Sequence, residues 1–441
     1  MLLLPQLPED LLLLLFSYSD TQALGRLAQV CRKFHSLVGR DTLWRRIAKV
    51  SLNTGITRLG RDAFPQIALK ERVKFSQNWK RGRCHQEILL RWKYNLLPWL
   101  QLDDQWLYLS QAADILAYPL RQNGVGFQRR PISVYTGHRD DVCRFVVSES
   151  HIISGGGDGK VIVCNTCNSF YAAFSAHDQE VNCIDSRGHV IVSGSRDKTA
   201  RIWSLCSNRL GECLHTIRTE DRVWSVAIDP MLSSVMTGTA CCGHASPLRI
   251  WNLQSGQLES CLGSDFRRGA GVLDILYETP SVVLTCGYDT YIRQWDIRAS
   301  TRRSVMEWEE PHDSALYCLQ SDGNFMIASG SSRYGVVRLW DKRQSKSLQV
   351  FSSPLPAVAQ CTVSDSLPHT CTLPWPTHFT CWILKSLTHS TGNKRIHAGS
   401  RVGINETLNQ IQGPRVKSYL QLKNTEQYFE KQQDEGTGSG S

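Results

Sequence analysis

Long apolar runs are missing from this 441-residue sequence. The longest, Leu11–Phe16, is six residues, far short of the roughly 20 that a membrane-spanning helix needs. The opening MLLLPQLPED is not expected to act as a secretory leader: it carries no basic residue, and Pro5, Pro8, Glu9 and Asp10 interrupt its leucines. Nor is there a strong compositional bias. With 41% hydrophobic and 20% charged residues, the chain is neither wholly disordered nor fibrous. Sixteen cysteines are present, but without the spacing of a disulfide framework, and most sit in apolar, strand-like runs. That pattern points to reduced, buried thiols and so to cytoplasm or nucleus. The length implies two or three structural units.

What the sequence does have is an uneven charge. Residues 1–100 hold 17 Lys and Arg against 7 Asp and Glu, and the remaining residues balance at 33 against 33, so the whole excess of +10 lies at one end. The stretch from Gln66 to Lys93 alone has 8 basic and 2 acidic residues. Such a cap suits an acidic protein, a nucleic acid or water.

The chain changes character near residue 100. Before it, apolar spacing is helical. Leu11, Leu12, Leu15 and Phe16 share one helix face, opened by Pro8 and Glu9–Asp10. Leu24 to Cys31 and Phe34 to Leu43 suggest two more short helices. A basic helical stretch is then expected from Pro65 to about Leu97, closed by Pro98. After residue 100, short apolar segments alternate with Gly, Asp, Asn and Ser turns, and they repeat. VIVCN, ARIWS, LRIWN, IRQWD and VRLWD align at Cys164, Trp203, Trp251, Trp295 and Trp340, with spacings of 39, 48, 44 and 45 residues. A degenerate earlier copy ends at Tyr118, 46 residues before Cys164. Gly137–His138, Ala176–His177 and Pro311–His312 precede three of these positions by 26 or 28 residues. This phased pattern resembles the WD-repeat family, whose blades are four-stranded sheets around a channel.

The resemblance implies a hydrogen-bonded relay inside the best-formed unit, running through Asp197, His177, Ser193 and Trp203. His138, Asp158, Asp289 and His312 occupy matching positions elsewhere. A serine, a histidine and an aspartate also suggest a hydrolase, but here they recur with the structural repeat, and no GxSxG or oxyanion-hole context surrounds Ser193. The run SGGGDGK at Ser154–Lys160 fails as a phosphate loop because Ser154 and Val161 stand at the wrong positions. Cys164 and Cys167 form a CxxC without a second pair. His369, Cys371, His378 and Cys381 are only loosely zinc-like. No catalytic residue, metal or cofactor is assigned, and Arg201, Arg249, Arg293 and Arg338, each two residues before an aligned Trp, read as blade-structural.

Residues 7–44, LPEDLLLLLFSYSDTQALGRLAQVCRKFHSLVGRDTLW, resemble an F-box. The LPxD opening, the LF-S-Y helix end, the L-x-R-L-x-x-V-C-R stretch and the terminal LW fall in order, with Ser19 where leucine is usual. Three short helices carry more leucine than so small a unit can bury internally. In F-box proteins the remainder is covered by a Skp-type adaptor that links to a cullin. By resemblance the contact surface comprises Leu7, Pro8, Leu11, Leu15, Phe16, Leu24, Val30, Cys31 and Trp44. Asn78, Trp79 and Gly82 resemble the connector motif between F-box and propeller.

An F-box followed by WD repeats identifies the sequence as a member of the F-box/WD-repeat substrate receptors. The expected architecture is mainly β: an F-box over 1–48, a basic helical connector over 49–97, a WD40-type propeller over 98–345 and a divergent, poorly ordered tail over 346–441. The propeller has six recognisable blade-like units and a seventh missing or improvised, because five prolines in residues 354–376 break the periodicity, as in a splice-type variant. The positions that ring the channel mouth in such receptors are Cys143, Asn182, Trp224, Leu273 and Tyr317 in the first strands. The turns contribute Gly157, Arg196, Tyr288 and Arg333. Two arginines and three aromatics make a poor phosphate clamp and a better seat for an apolar anchor with one charge contact. The alternative is that the aromatics merely fill the channel wall. The expected function is that of a monomeric, non-catalytic substrate-recognition subunit of a Skp–cullin–F-box ubiquitin ligase, with an unknown protein substrate and no membrane partner. The alternatives are a non-degradative scaffold and, less favoured, a nucleic-acid-binding propeller.

Overall fold

The computed structural model describes most of residues 4–352, apart from short interruptions, together with Thr362–Val363, Thr370–Pro374 and His378–Ile383. The N-terminal head has four short helices rather than three: α1 (Glu9–Ser17), α2 (Thr21–Val30), α3 (Arg32–Val38) and α4 (Asp41–Val50). Asp20 caps α2 by accepting from Ala23 N at 2.7 Å, and Cys31 is extended, breaking α2 from α3. The pause at Gly39–Arg40 then puts Leu43 on a helix of its own. Their apolar faces meet in a small core of Leu12, Phe16, Leu24, Phe34, Leu37 and Trp44. Phe16 and Phe34 pack edge to face at 5.1 Å.

A fifth helix, α5 (Leu69–Lys80), joins the head to the rest. Leu69 and Val73 enter the head core, whereas Trp79 enters the core of a sheet with Cys318, Met326 and Phe351. Gly82, at φ +62°, turns the chain out of the helix. The expectation of helix through Leu97 is therefore corrected: β1 (His85–Arg91) is a strand. Its apolar run is too short for periodicity to tell strand from helix.

Seven four-stranded sheets follow. Blade one is β2 (Leu100–Asp103), β3 (Trp106–Gln111), β4 (Asp114–Pro119) and β5 (Ser133–Tyr135); blade two is β6 (Val142–Ser148), β7 (His151–Gly156), β8 (Lys160–Asn165) and β9 (Tyr171–Ser175). Blade three is β10 (Val181–Arg187), β11 (Val190–Ser195), β12 (Thr199–Ser204) and β13 (Cys213–Arg218). Blade four is β14 (Val223–Ile228), β15 (Ser234–Thr239), β16 (Leu248–Asn252) and β17 (Leu258–Leu262). Blade five is β18 (Val272–Thr279), β19 (Val282–Gly287), β20 (Tyr291–Asp296) and β21 (Met306–Glu309). Blade six is β22 (Leu316–Ser321), β23 (Met326–Ser331), β24 (Val336–Asp341) and β25 (Ser347–Ser352). All six aligned repeat positions fall on third strands, so the sequence phase is the structural phase.

The seventh sheet is the improvised one. It pairs β26 (Thr362–Val363), β27 (Thr370–Pro374) and β28 (His378–Ile383) with β1, which comes from the far end of the sequence. β1 runs antiparallel to β28, His85 opposite Ile383 and Arg91 opposite His378. β26 lies beside both β22 and β2, which closes the circle. Two boundaries shift accordingly: β25 and β26–β28 belong to the propeller beyond residue 345, and β1 does so before residue 98. The seventh sheet thereby covers the faces of blades one and six that a six-blade arc would leave open.

Candidate functional site

Inside the blades the relay has the expected form, varied from sheet to sheet. In blade three His177 Nδ1 lies 2.9 Å from Asp197 Oδ2 and Nε2 lies 2.7 Å from Ser193 Oγ, which in turn accepts from Trp203 Nε1 at 2.9 Å. A carboxylate only accepts, so the proton sits on Nδ1 and the serine hydroxyl donates to Nε2. Burial pushes the His177 pKa down, toward the neutral form this relay needs. Burial opposes the Asp197 charge, but hydrogen bonds from Thr199 and His177 outweigh it and hold the carboxyl below its ordinary range. Blade two keeps His138, Asp158 and Ser154, at 3.0 and 2.9 Å, with Cys164 in the tryptophan slot. Blades four, five and six keep the indole contact: Trp251 to Thr237, Trp295 to Thr285 and Trp340 to Ser329, each 2.9 Å. Asp289, in the matching turn of blade five, binds Arg293 Nη1 at 2.6 Å. His312 and Arg333 lie outside the described residues, as does His369. Arg201 donates to Ala176 O at 2.8 Å and Arg249 pairs with Glu220 at 3.1 Å, so both tie strands to loops. These groups hold register.

The head divides the F-box candidates in two. Leu11, Leu15 and Val30 are exposed, joined by Leu14 and Tyr18, all between 49% and 73% accessible. Pro8 is exposed, and Leu7 and Cys31 are partly so. Phe16, Leu24 and Trp44 are at most 4% accessible, and the Trp44 indole N–H donates to Val38 O at 2.7 Å. These three hold the head together and are removed from the contact surface. Leu14 and Tyr18 escaped the sequence reading because motif positions, not helix faces, chose the residues.

The head is hydrogen-bonded to blade six. Asn53 N donates to Asp322 Oδ2 at 3.0 Å, Asn324 Nδ2 to Ile56 O at 3.2 Å, Arg343 Nη1 to Val50 O at 2.9 Å and Gln349 Nε2 to Lys80 O at 2.9 Å. Arg72, buried within the basic stretch, holds Asp62 with both terminal nitrogens, at 2.6 and 2.8 Å.

At the channel mouth every chosen first-strand position coincides with a β-bulge. Register slips at Cys143, Asn182, Trp224, Leu273 and Tyr317, always the second residue of its strand. Bulges re-aim side chains at a rim, and here they repeat blade by blade. Two candidates are already engaged, however. Asn182 Nδ2 donates to Val223 O of the next blade at 2.9 Å, and Arg196 pairs with Glu180 at 3.1 Å. Tyr288 and Tyr317 meet edge to face at 6.3 Å across blades five and six. The Trp224 indole nitrogen is buried and makes no hydrogen bond among the described residues.

Comparison with known proteins agrees with this geometry. An F-box-like family model matches residues 4–49, and a WD domain, G-beta repeat model matches 129–165, 168–204 and 304–341. F-box/WD repeat-containing protein 4 of Mus musculus is 62% identical over 359 residues, spanning 81% of this chain and 88% of the relative. The Homo sapiens protein of that name is 60% identical over the same length, covering 87% of its own chain. The crystal structure of the WD40 beta propeller domain of Doa1 superposes with a TM-score of 0.55 over 70% of this chain and 98% of that one, at 15% identity, a likeness of fold alone. With helical head, mount and ring all accounted for, the chain belongs to the F-box/WD repeat-containing protein family.

Proposed function

We propose that this chain is the non-catalytic substrate receptor of a Skp–cullin–F-box ubiquitin ligase, acting in the cytoplasm or nucleus to bring proteins to ubiquitination and degradation. The exposed leucine face of α1 carries the reading. Leu11, Leu14 and Leu15 with Tyr18 and Val30 form more apolar surface than a head of this size leaves open without a partner, and the F-box family supplies that partner as a Skp-type adaptor. The mount on blade six fixes the distance between adaptor and propeller. Bound substrate is thereby held near a ubiquitin-charged enzyme, and effective concentration replaces active-site chemistry. Affinity purification of the full chain beside Leu11→Asp/Leu15→Asp tests this. Adaptor and cullin vanish from the variant while proteins held by the propeller stay; recovery of both from the variant overturns the assignment.

A further inference from the structure

Resting on the receptor reading, we propose that the propeller mouth recognises an unphosphorylated peptide with an aromatic or large aliphatic anchor and a basic flank. The anchor's seat is an arc over blades four to six. Trp224 and Leu273 stand at consecutive bulges, linked where Ser225 Oγ donates to Val272 O at 3.0 Å. Tyr288 continues the arc by donating its backbone N–H to Gly271 O at 3.0 Å, and its ring meets Tyr317. The partly exposed Trp224 ring supplies the largest apolar face of the arc, its indole nitrogen being turned away from solvent.

The charge around this arc argues against phosphate. Arg196, the one described arginine among the mouth positions, is neutralised by Glu180, and Arg144 further down the channel is neutralised by Asp274 at 2.9 Å. With Glu180 paired to Arg196, the turns entering β6 and β10 carry Asp140, Asp141 and Asp178 against Arg139. Asp141 and Asp178 are exposed. A phosphopeptide would meet this acidic side of the rim unfavourably, whereas a lysine or arginine flank would complement it. The exposed Arg267 and Arg268 lie on the loop before β18, where Arg268 Nε donates to Cys242 O at 2.9 Å. They define the competing phosphate route.

Two matched synthetic peptide libraries, with serine or phosphoserine fixed at the centre, are panned on the full chain with its adaptor bound. The most enriched peptide is then labelled for anisotropy titration. The expected winners come from the serine library and pair an aromatic or aliphatic residue with nearby Lys or Arg. Trp224→Ala weakens them about tenfold or more, and Trp224→Phe, which keeps an aromatic ring of smaller area, by a few-fold. Asp141→Asn/Asp178→Asn weakens them several-fold at low salt and less at high salt. Winners from the phosphoserine library that depend on Arg267 and Arg268 overturn the proposal. So do serine-library binders indifferent to Trp224→Ala and to the double asparagine variant when both melt like wild type. No enrichment with adaptor bound also defeats it and leaves the receptor reading standing; failure to bind adaptor at all defeats the receptor reading instead.

Discussion

Arg144 on β6 and Asp274 on β18 meet across the ring, Nη2 to Oδ1 at 2.9 Å, although 130 residues separate them. The guanidinium also lies 4.0 Å over the ring of Trp99, and the second carboxylate oxygen accepts from Leu319 N of blade six at 2.8 Å. One ion pair thus ties blades two, five and six. Removing one partner leaves a buried charge without its counterpart, which costs about 3–5 kcal/mol. Arg144→Met is expected to lower the urea midpoint accordingly. Arg144→Met/Asp274→Asn recovers part of the loss, with a coupling energy of about 1–3 kcal/mol in a double-mutant cycle.

Nothing in the sequence pointed to that pair, because it depends on ring closure and not on any local spacing. What was legible was local and periodic. The aligned tryptophans announced third strands, the small–His pairs announced relays, and the F-box motif announced the head. Positions set by a motif, such as Trp224 and Tyr317, were found at their bulges. Whether a residue was spoken for was not legible: Asn182 stitches blades and Arg196 is paired, and both facts need the neighbouring blade in place. The sequence left the seventh sheet as missing or improvised for a similar reason: β1 and β28 share no periodicity and lie almost 300 residues apart, so their pairing is not written in any local pattern.

The blade-three relay makes its own stability prediction. Ser193→Ala strands the Trp203 indole N–H and His177 Nε2 in a site with no water access, since Ser193 is fully buried. The expected cost is about 2–3 kcal/mol, read as a lower denaturation midpoint with an unchanged m-value. Trp251→Phe in blade four strands only Thr237 and should cost less.

The same relay sets a pH dependence. Burial holds the His177 pKa below its unfolded value of 6.5, so the unfolded chain takes up a proton first as pH falls. Stability is fully present above that value and declines as pH drops from it toward the lower folded pKa. Asp197, whose folded pKa is also depressed, adds a loss only at still lower pH. Unfolding free energy measured from pH 7.5 to 5 should fall in the wild type. The slope should be shallower in His177→Gln, whatever its absolute stability; an equal slope means that this histidine does not titrate as described.

In the head, burial and exposure separate two kinds of leucine-rich position. Phe16→Ala removes an aromatic from the core where it packs on Phe34, and should cost about 3–5 kcal/mol. Leu15→Asp changes a half-exposed side chain and should leave the melting temperature within a degree or two, on the order of ±0.5 kcal/mol. Adaptor binding in pull-downs should respond in the opposite order, with Leu15→Asp losing it at full stability.

The closing sheet gives the sharpest structural test. β1 pairs with β28, and β26 lies between β22 and β2, so deleting residues 353–441 removes three of the four strands of blade seven and leaves β1 without a partner. The two inner strands beside the gap, β2 and β22, then present open flanks. Uncovered apolar sheet faces drive association, so the truncated chain should elute as oligomers in size-exclusion chromatography and gain rapid amide exchange in β1 and β2. The mount should be little affected, because Trp79 and the bonds of Asn53, Asn324 and Arg343 all lie on blade six. A monomeric truncation with unchanged exchange in β2 would mean that six blades close by themselves and that the β1–β28 pairing contributes nothing to the ring.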